Sequence, residues 1–150
     1  HDELAAEGHL YMDDGQTFAY RDDQAYLARK FTLARDGPGH LRLASTSLTG
    51  RDIHTSASST ALQVPGNAYE QETSSVRVER IIVYGLPEVH RIIARDAHGH
   101  ETSLAFTYTS GTSRSPTASD ASARLASRLE IRDPRVLIGQ DWSILMEIAP

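Results

Sequence analysis

Leu10-Tyr11-Met12-Asp13-Asp14-Gly15-Gln16-Thr17-Phe18-Ala19-Tyr20 is the stretch that indicates how this 150-residue chain folds. Two short apolar and aromatic runs meet at an Asp-Asp-Gly corner. Asp tolerates left-handed backbone and its carboxylate bonds nearby N–H groups, while Gly accepts a positive φ without a Cβ clash. The stretch therefore predicts a β-hairpin. A pair of adjacent carboxylates also suggests catalysis, but neighbours on a strand point to opposite faces, so we assign Asp13 and Asp14 to a turn.

Further strands follow from alternation of apolar and polar residues, which is the period of a half-buried strand. Turn residues such as Gly, Pro and Asp separate these segments. Residues 96–100 predict the turn of a second hairpin. The predicted strands after the first hairpin are residues 25–33, 40–43, 76–84, 89–95, 101–109, 125–131 and 142–148.

Residues 76–84 form the strongest predicted strand because they are rich in β-branched side chains. Their end is apolar on both faces, which is typical of a strand at the centre of a sandwich or against a neighbouring domain rather than at an open edge. Residues 49–74 and 110–123 are rich in Ser, Thr and Ala and show no sustained period, so they predict two long loops. No helical period of ten or more residues occurs.

Seven to nine short strands without intervening helices predict an all-β fold, an antiparallel β-sandwich. We expect residues 1–150 to form one domain, with the long loops at 49–74 and 110–123.

Composition excludes several classes of protein. Hydrophobic residues make up 39% and charged residues 23% of the chain, which is ordinary for a globular domain. Residues 1–23 carry a net charge of −6 and the remainder +1, without a basic stripe, so we expect no nucleic-acid partner. No apolar run is long enough to span a bilayer, so we expect no membrane partner. The chain has no Cys, which excludes disulfides and thiolate metal sites.

One cluster of residue types suggests a metal site. Asp96, His98, His100 and Glu101 could offer two imidazoles and two carboxylates to zinc. Zinc ligands usually come from two separated segments, and polar residues are expected at a hairpin turn, so we assign the cluster to a solvated turn. The chain also lacks the Gly-x-Ser-x-Gly elbow, a P-loop and an HExxH pair. We therefore expect no catalytic, cofactor-binding or metal-binding residue here, and no cofactor.

Aromatic side chains are a second candidate, because aromatics exposed on a sandwich can stack on sugar rings. Aromatics in strands are buried more often than they bind ligands, so we expect most of these to be core residues. The candidates are Tyr11, Phe18, Tyr20, Tyr26 and Tyr84.

Three stretches together resemble a known family. They are Gly8-His9-Leu10-Tyr11-Met12-Asp13-Asp14-Gly15-Gln16-Thr17-Phe18-Ala19-Tyr20, Val78-Glu79-Arg80-Ile81-Ile82-Val83-Tyr84-Gly85 and Asp141-Trp142-Ser143-Ile144. They are similar, in order and from end to end, to the distal C-terminal β-sandwich of glycoside hydrolase family 31. The two long loops interrupt the resemblance and are longer than we expect of the family.

The resemblance implies a parent protein that is a retaining exo-α-glucosidase. By the same resemblance, this parent enzyme would remove α-1,3-linked glucose from N-linked glycans of newly made glycoproteins in the endoplasmic reticulum lumen, together with a lectin-type beta subunit. The family places its two catalytic Asp residues on a (β/α)8 barrel, and that barrel is not in these 150 residues. The chain would then be a non-catalytic domain whose main partner is the remainder of the same polypeptide. The glycan would bind to the barrel.

The resemblance also implies a strand before residue 1, so we expect the sandwich to lack its first strand and to pair with another part of the parent protein. An alternative function remains open. The chain could be a free-standing β-sandwich module that binds carbohydrate or protein without catalysis.

Overall fold

The computed structural model describes residues 5–48, 68–111 and 126–149. Within these ranges the chain forms nine β-strands and two helices of a single turn each, α1 and α2. The elements in chain order are β1 (Ala6–Met12), α1 (Ala19–Asp22), β2 (Leu27–Arg35), β3 (His40–Ser47), α2 (Ala68–Glu72), β4 (Arg80–Tyr84), β5 (Val89–Arg95), β6 (Glu101–Ser103), β7 (Phe106–Thr109), β8 (Arg128–Arg132) and β9 (Trp142–Ile148).

The strands form two antiparallel sheets. The larger sheet has six strands in the order β1-β2-β3-β9-β5-β6, and the smaller has three in the order β4-β8-β7. The C-terminal strand β9 lies inside the larger sheet, where it pairs with β3 on one side and β5 on the other. The prediction of an all-β antiparallel sandwich is confirmed.

The core lies where the apolar faces of both sheets meet. Burial alternates along β9, and the four apolar residues of one face, Trp142, Ile144, Met146 and Ile148, are all buried, as the sequence pattern predicts. The smaller sheet contributes residues such as Leu129 and Ile131 to the same cluster. Burial of these side chains is the main stabilising contribution to the fold.

The prediction of a hairpin within residues 10–20 is wrong. Strand β1 ends at Met12, and after a turn the chain enters α1 instead of a second strand. The partner of β1 is β2, with Met12 opposite Leu27. The physical reason lies in the turn, since the Asp14 carboxylate binds the backbone N–H groups of Gln16 and Thr17 and so withdraws them from a strand ladder. Gly15 does adopt the predicted positive φ, 63°.

Of the two positions predicted for residues 76–84, the centre of the sandwich is wrong, and a position against a neighbouring domain stays a prediction. Strand β4 begins only at Arg80, and it is an edge of the three-stranded sheet in the part of the chain that the structure describes. Ile81 and Val83 pack against the core, whereas Ile82 faces outward. A β-branched run shows that a strand forms, but it does not show where the strand lies in the sheet.

The second hairpin is confirmed in part. Strands β5 and β6 pair around the turn at residues 96–100, but residues 101–109 are not one strand. Leu104 is buried and its N–H donates to the Ile92 carbonyl, after which β7 pairs with β8 in the other sheet. The predicted strand at 125–131 is observed as β8, Arg128–Arg132.

The two predicted loops fall largely outside the described ranges. Of residues 49–74, the structure describes 68–74, and these include α2, so the loop prediction is wrong there. Of residues 110–123, it describes only 110 and 111, which lie outside strands.

Candidate functional site

The Asp13-Asp14 corner is held by local hydrogen bonds. The Gly15 N–H donates to Asp13 Oδ1 at 2.8 Å, and the Thr17 hydroxyl donates to Asp14 Oδ2 at 2.6 Å. The hydrogen bond from the Thr17 side chain, followed by those from backbone N–H groups, lowers the pKa of Asp14. A general acid needs a raised pKa, so the geometry fits the assignment of this pair to a turn.

Exposed aromatic side chains cluster where β1, α1 and β2 meet, and we call Tyr11, Phe18, Tyr20 and Tyr26 the aromatic patch. The rings of Tyr11 and Tyr26 stack with centroids 5.5 Å apart, and the Arg21 guanidinium carbon lies 5.2 Å from the Phe18 ring centroid. Desolvation, and then the hydrogen bond with the Asp13 side chain, raises the pKa of Tyr11 to about 12.

Most of the candidate aromatics are not core residues, so that prediction is wrong. Tyr11 is 50%, Phe18 64%, Tyr20 38% and Tyr84 62% exposed, which leaves ring surface open for contact. The fifth, Tyr26, is half-buried. Tyr84 lies on β4 in the other sheet, so the structure brings together four of the five candidates.

The outer face of the smaller sheet carries three arginines around one carboxylate. Glu130 on β8 contacts Arg80, Arg128 and Arg132 at 3.4, 2.6 and 2.8 Å. The arginines leave the Glu130 side chain only 7% exposed, and the hydrogen bond from Arg128 is the largest cause that lowers the pKa of this carboxyl group. Tyr84 lies opposite Arg128 in the register and hydrogen-bonds it.

Two clefts share the indole of Trp142. One, of about 310 Å³, is mainly apolar and includes Phe31, Val78 and Ile82 in its lining. The other, of about 260 Å³, is more polar and its lining includes Arg77, Arg135, Gln140, Asp96 and His98. Trp142 Nε1 is the only buried side-chain nitrogen or oxygen without a hydrogen-bond partner among the described residues.

The turn between β5 and β6 brings together three of its four candidate metal ligands. Asp96, His98 and His100 each offer a ligand atom, and these atoms all lie within 4.8 Å of one another. Glu101 is not among them; its carboxylate forms an ion pair with Arg95. Backbone N–H donation from His100 is the largest cause that lowers the pKa of Asp96.

One buried charge had no signal in the sequence. Arg29 lies on β2 between apolar neighbours of the same face and is 0% exposed. Its guanidinium donates to Ser45 Oγ, to the carbonyls of Gly139 and Gln140, and to Asp141 Oδ1. The alternation of the strand puts Leu27, Arg29 and Phe31 on one face. It could not show that Asp141, 112 residues away, forms an ion pair with the buried Arg29.

Comparisons with known proteins address the whole chain. No protein-family model matches it. The chain is 24% identical over 139 residues to human neutral alpha-glucosidase AB, a match that covers 93% of the chain and 11% of that protein. The chain therefore spans about a tenth of the length of this curated relative.

Solved structures of glucosidase II also match nearly the whole chain. The crystal structure of the glucosidase II alpha subunit with Glc1Man2 bound matches with a TM-score of 0.68 and 24% identity, covering 97% of this chain and 13% of that one. The heterodimeric complex of ER glucosidase II, which consists of the catalytic subunit and the binding domain of the regulatory subunit, matches with a TM-score of 0.67 and the same identity and coverage.

Within the described residues, no helix is long and apolar enough to cross a membrane. The resemblance to glycoside hydrolase family 31 is confirmed: over nearly its whole length, this chain is similar to a segment of the catalytic alpha subunit of ER glucosidase II and shares its fold.

Proposed function

We propose that this chain is the C-terminal, non-catalytic β-sandwich of a retaining exo-α-glucosidase of glycoside hydrolase family 31. The parent enzyme would trim α-1,3-linked glucose from N-glycans of newly made glycoproteins in the endoplasmic reticulum lumen. The observation that carries the proposal is the end-to-end match, which covers 97% of this chain but only 13% of the glucosidase II alpha subunit. A domain of that relative size supports a structural part rather than a complete enzyme.

The carboxyl groups of the described residues support this assignment. Retaining glycosidases need two carboxyl groups about 5 Å apart, one of them with a raised pKa. Each described carboxyl group with a shifted pKa has it lowered instead, and each is already engaged by hydrogen bonds or cations. These groups are Glu7, Asp14, Asp96 and Glu130.

The structural role would be to cover the remainder of the polypeptide and to fix the orientation of its (β/α)8 barrel, which binds the glycan. Exposed apolar residues on β4 supply a surface for that contact, since Ile82 is 38% and Tyr84 62% exposed on the same face of the smaller sheet. The free edge of β1 supplies another, because β1 has only β2 as a partner strand within the described part of the chain. A lectin-type beta subunit is the proposed second partner.

The first test is the intact mass of the purified natural protein. The proposal expects these residues to occur in a polypeptide several times larger that hydrolyses an aryl α-glucoside. If the natural protein consists of this domain alone, or if the isolated domain itself turns over the glucoside, the assignment of catalysis to a separate barrel is wrong.

A second candidate function is a sandwich that binds carbohydrate without chemistry. The exposed aromatic patch favours it, because aromatic ring faces stack on sugars. The test is titration of the protein with glucose-terminated oligosaccharides, followed by tryptophan and tyrosine fluorescence. Weakened binding in Tyr20→Ala but not in Tyr84→Ala would support this function, and no saturable signal at millimolar sugar would exclude it.

A further inference from the structure

We propose that the turn between β5 and β6 binds one zinc ion through Asp96, His98 and His100. This site goes beyond the proposed glucosidase role, and it revises the expectation that the turn is only solvated. Two imidazoles and one carboxylate are ligands that zinc prefers, and three protein ligands leave one position for water.

The backbone of the turn is organised before any ion arrives. Asp96 Oδ1 accepts the N–H groups of His98 at 2.8 Å and His100 at 2.9 Å, so the second carboxylate oxygen points to the histidines. Gly99 between them has a φ of 85°, a conformation that strains other residues. This sharp reversal brings the two imidazole rings to the same side, where they stack with centroids 6.0 Å apart and planes inclined by 27°.

The ligand atoms are close to the spacing that zinc requires. Tetrahedral ligands about 2.1 Å from zinc lie about 3.4 Å from one another. His100 Nδ1 is already 3.1 Å from Asp96 Oδ2, and all three ligand atoms lie within 4.8 Å of one another. The His100 side chain is 79% exposed, so rotation of the imidazoles is enough to close the remaining gap. The zinc ion would replace the hydrogen bond between His100 Nδ1 and Asp96 Oδ2.

The surroundings select the kind of ion. Asp96 and His98 also line the polar cleft beside Trp142, whose other lining residues include the cations Arg77 and Arg135. Calcium and magnesium are disfavoured because they need several hard oxygen ligands, and only one carboxylate is available here. Imidazole nitrogens suit zinc better than they suit those two ions. Exposure of both rings gives the ion free entry from solvent.

The test is isothermal titration of the intact, chelator-treated protein with ZnCl2. We expect His98→Ala and His100→Ala each to lose one equivalent of bound zinc, and Asp96→Asn to weaken that site by at least about tenfold. Asp96→Asn keeps one oxygen that can accept the two N–H groups, but it removes the charge and replaces the ligand oxygen Oδ2 with an NH2 group. His90→Ala is the matched control, because His90 is exposed on β5 outside the cluster, and it should bind as the parent does.

Two further measurements test whether the variants still fold and whether the bound metal is tetrahedral. Thermal unfolding without zinc should be the same in the parent and both His variants, which shows that the turn still folds. Visible absorption of added CoCl2 should show a tetrahedral spectrum that is lost in His98→Ala. Equal zinc stoichiometry and affinity in the parent, His98→Ala and His100→Ala would overturn the site, as would an equal response to MgCl2.

Discussion

Arg29 Nη2 donates to Asp141 Oδ1 at 2.8 Å, and this ion pair joins β2 to the segment before β9. The Arg29 side chain is 1% exposed, whereas that of Asp141 is 61% exposed. Asp141 Oδ1 also accepts the N–H of Ser47 at the end of β3. One buried cation therefore fixes three parts of the larger sheet at the entry to its central strand.

Replacing Arg29 tests how much this arrangement stabilises the fold. We expect Arg29→Met to lower the free energy of unfolding by about 3 kcal/mol, because the Ser45 hydroxyl and two backbone carbonyls lose their buried donor. Asp141→Asn should cost only about 1 kcal/mol, since its side-chain oxygen still accepts both hydrogen bonds and is solvated. Urea unfolding measures both values. A larger loss in Asp141→Asn than in Arg29→Met would contradict this view.

Glu130 predicts how stability changes with pH. Its pKa is lowered in the folded chain, chiefly by the hydrogen bond from Arg128, from an ordinary value of 4.5. A lowered folded-state pKa gives a contribution that is fully present above pH 4.5 and is lost as the pH falls through the folded-state value. We therefore expect the parent to lose more stability between pH 5 and pH 3 than Glu130→Gln does. Carboxyl groups in proteins titrate mostly within this pH interval.

The measurement is the thermal midpoint across that pH series. Glu79→Gln serves as the control, because Glu79 is exposed. Parallel pH curves for the parent and Glu130→Gln would show that the three arginines do not stabilise the ionised carboxylate.

Ile82 tests whether the outer face of the smaller sheet contacts another domain. If Ile82 is exposed to solvent in the intact protein, Ile82→Ser should change the free energy of unfolding by no more than about 0.5 kcal/mol. If the remainder of the polypeptide covers that face, the loss in the intact protein should reach about 2 kcal/mol. We expect the larger value, measured by thermal unfolding of the intact protein, with His90→Ser on the other sheet as the control. Equally small losses in Ile82→Ser and His90→Ser would show that solvent, and not another domain, contacts this face.

The sequence predicted several elements whose formation depends on local residue type. The alternation of Trp142, Ile144, Met146 and Ile148 identified a strand with one buried face, and the structure confirms it. The Gly99 turn was likewise readable from residue type, because few other residues tolerate its φ.

The wrong predictions concern features that depend on distant parts of the chain or on a competing hydrogen bond. Strand order cannot be read from β-branched residues. The centre of the sandwich was one of two positions predicted for residues 76–84, but β4 lies at an edge of the smaller sheet in the described part of the chain. The Asp14 carboxylate accepts the N–H groups of Gln16 and Thr17, which the predicted hairpin at residues 10–20 would need for its strand pairing. Buried Arg29 depends on partners far along the chain. The metal-ligand cluster was visible in the sequence, but the sequence could not show that three of its four residues converge while Glu101 pairs with Arg95.

The proposed function places catalysis outside these 150 residues. The most direct measurement is kcat of the intact protein on an aryl α-glucoside, compared with the double variant Asp13→Asn, Asp14→Asn. We expect hydrolysis by both, with kcat values within about twofold, because the pair only builds a turn. A loss of about a thousandfold in the double variant would place a catalytic carboxylate at the turn and contradict the proposed function.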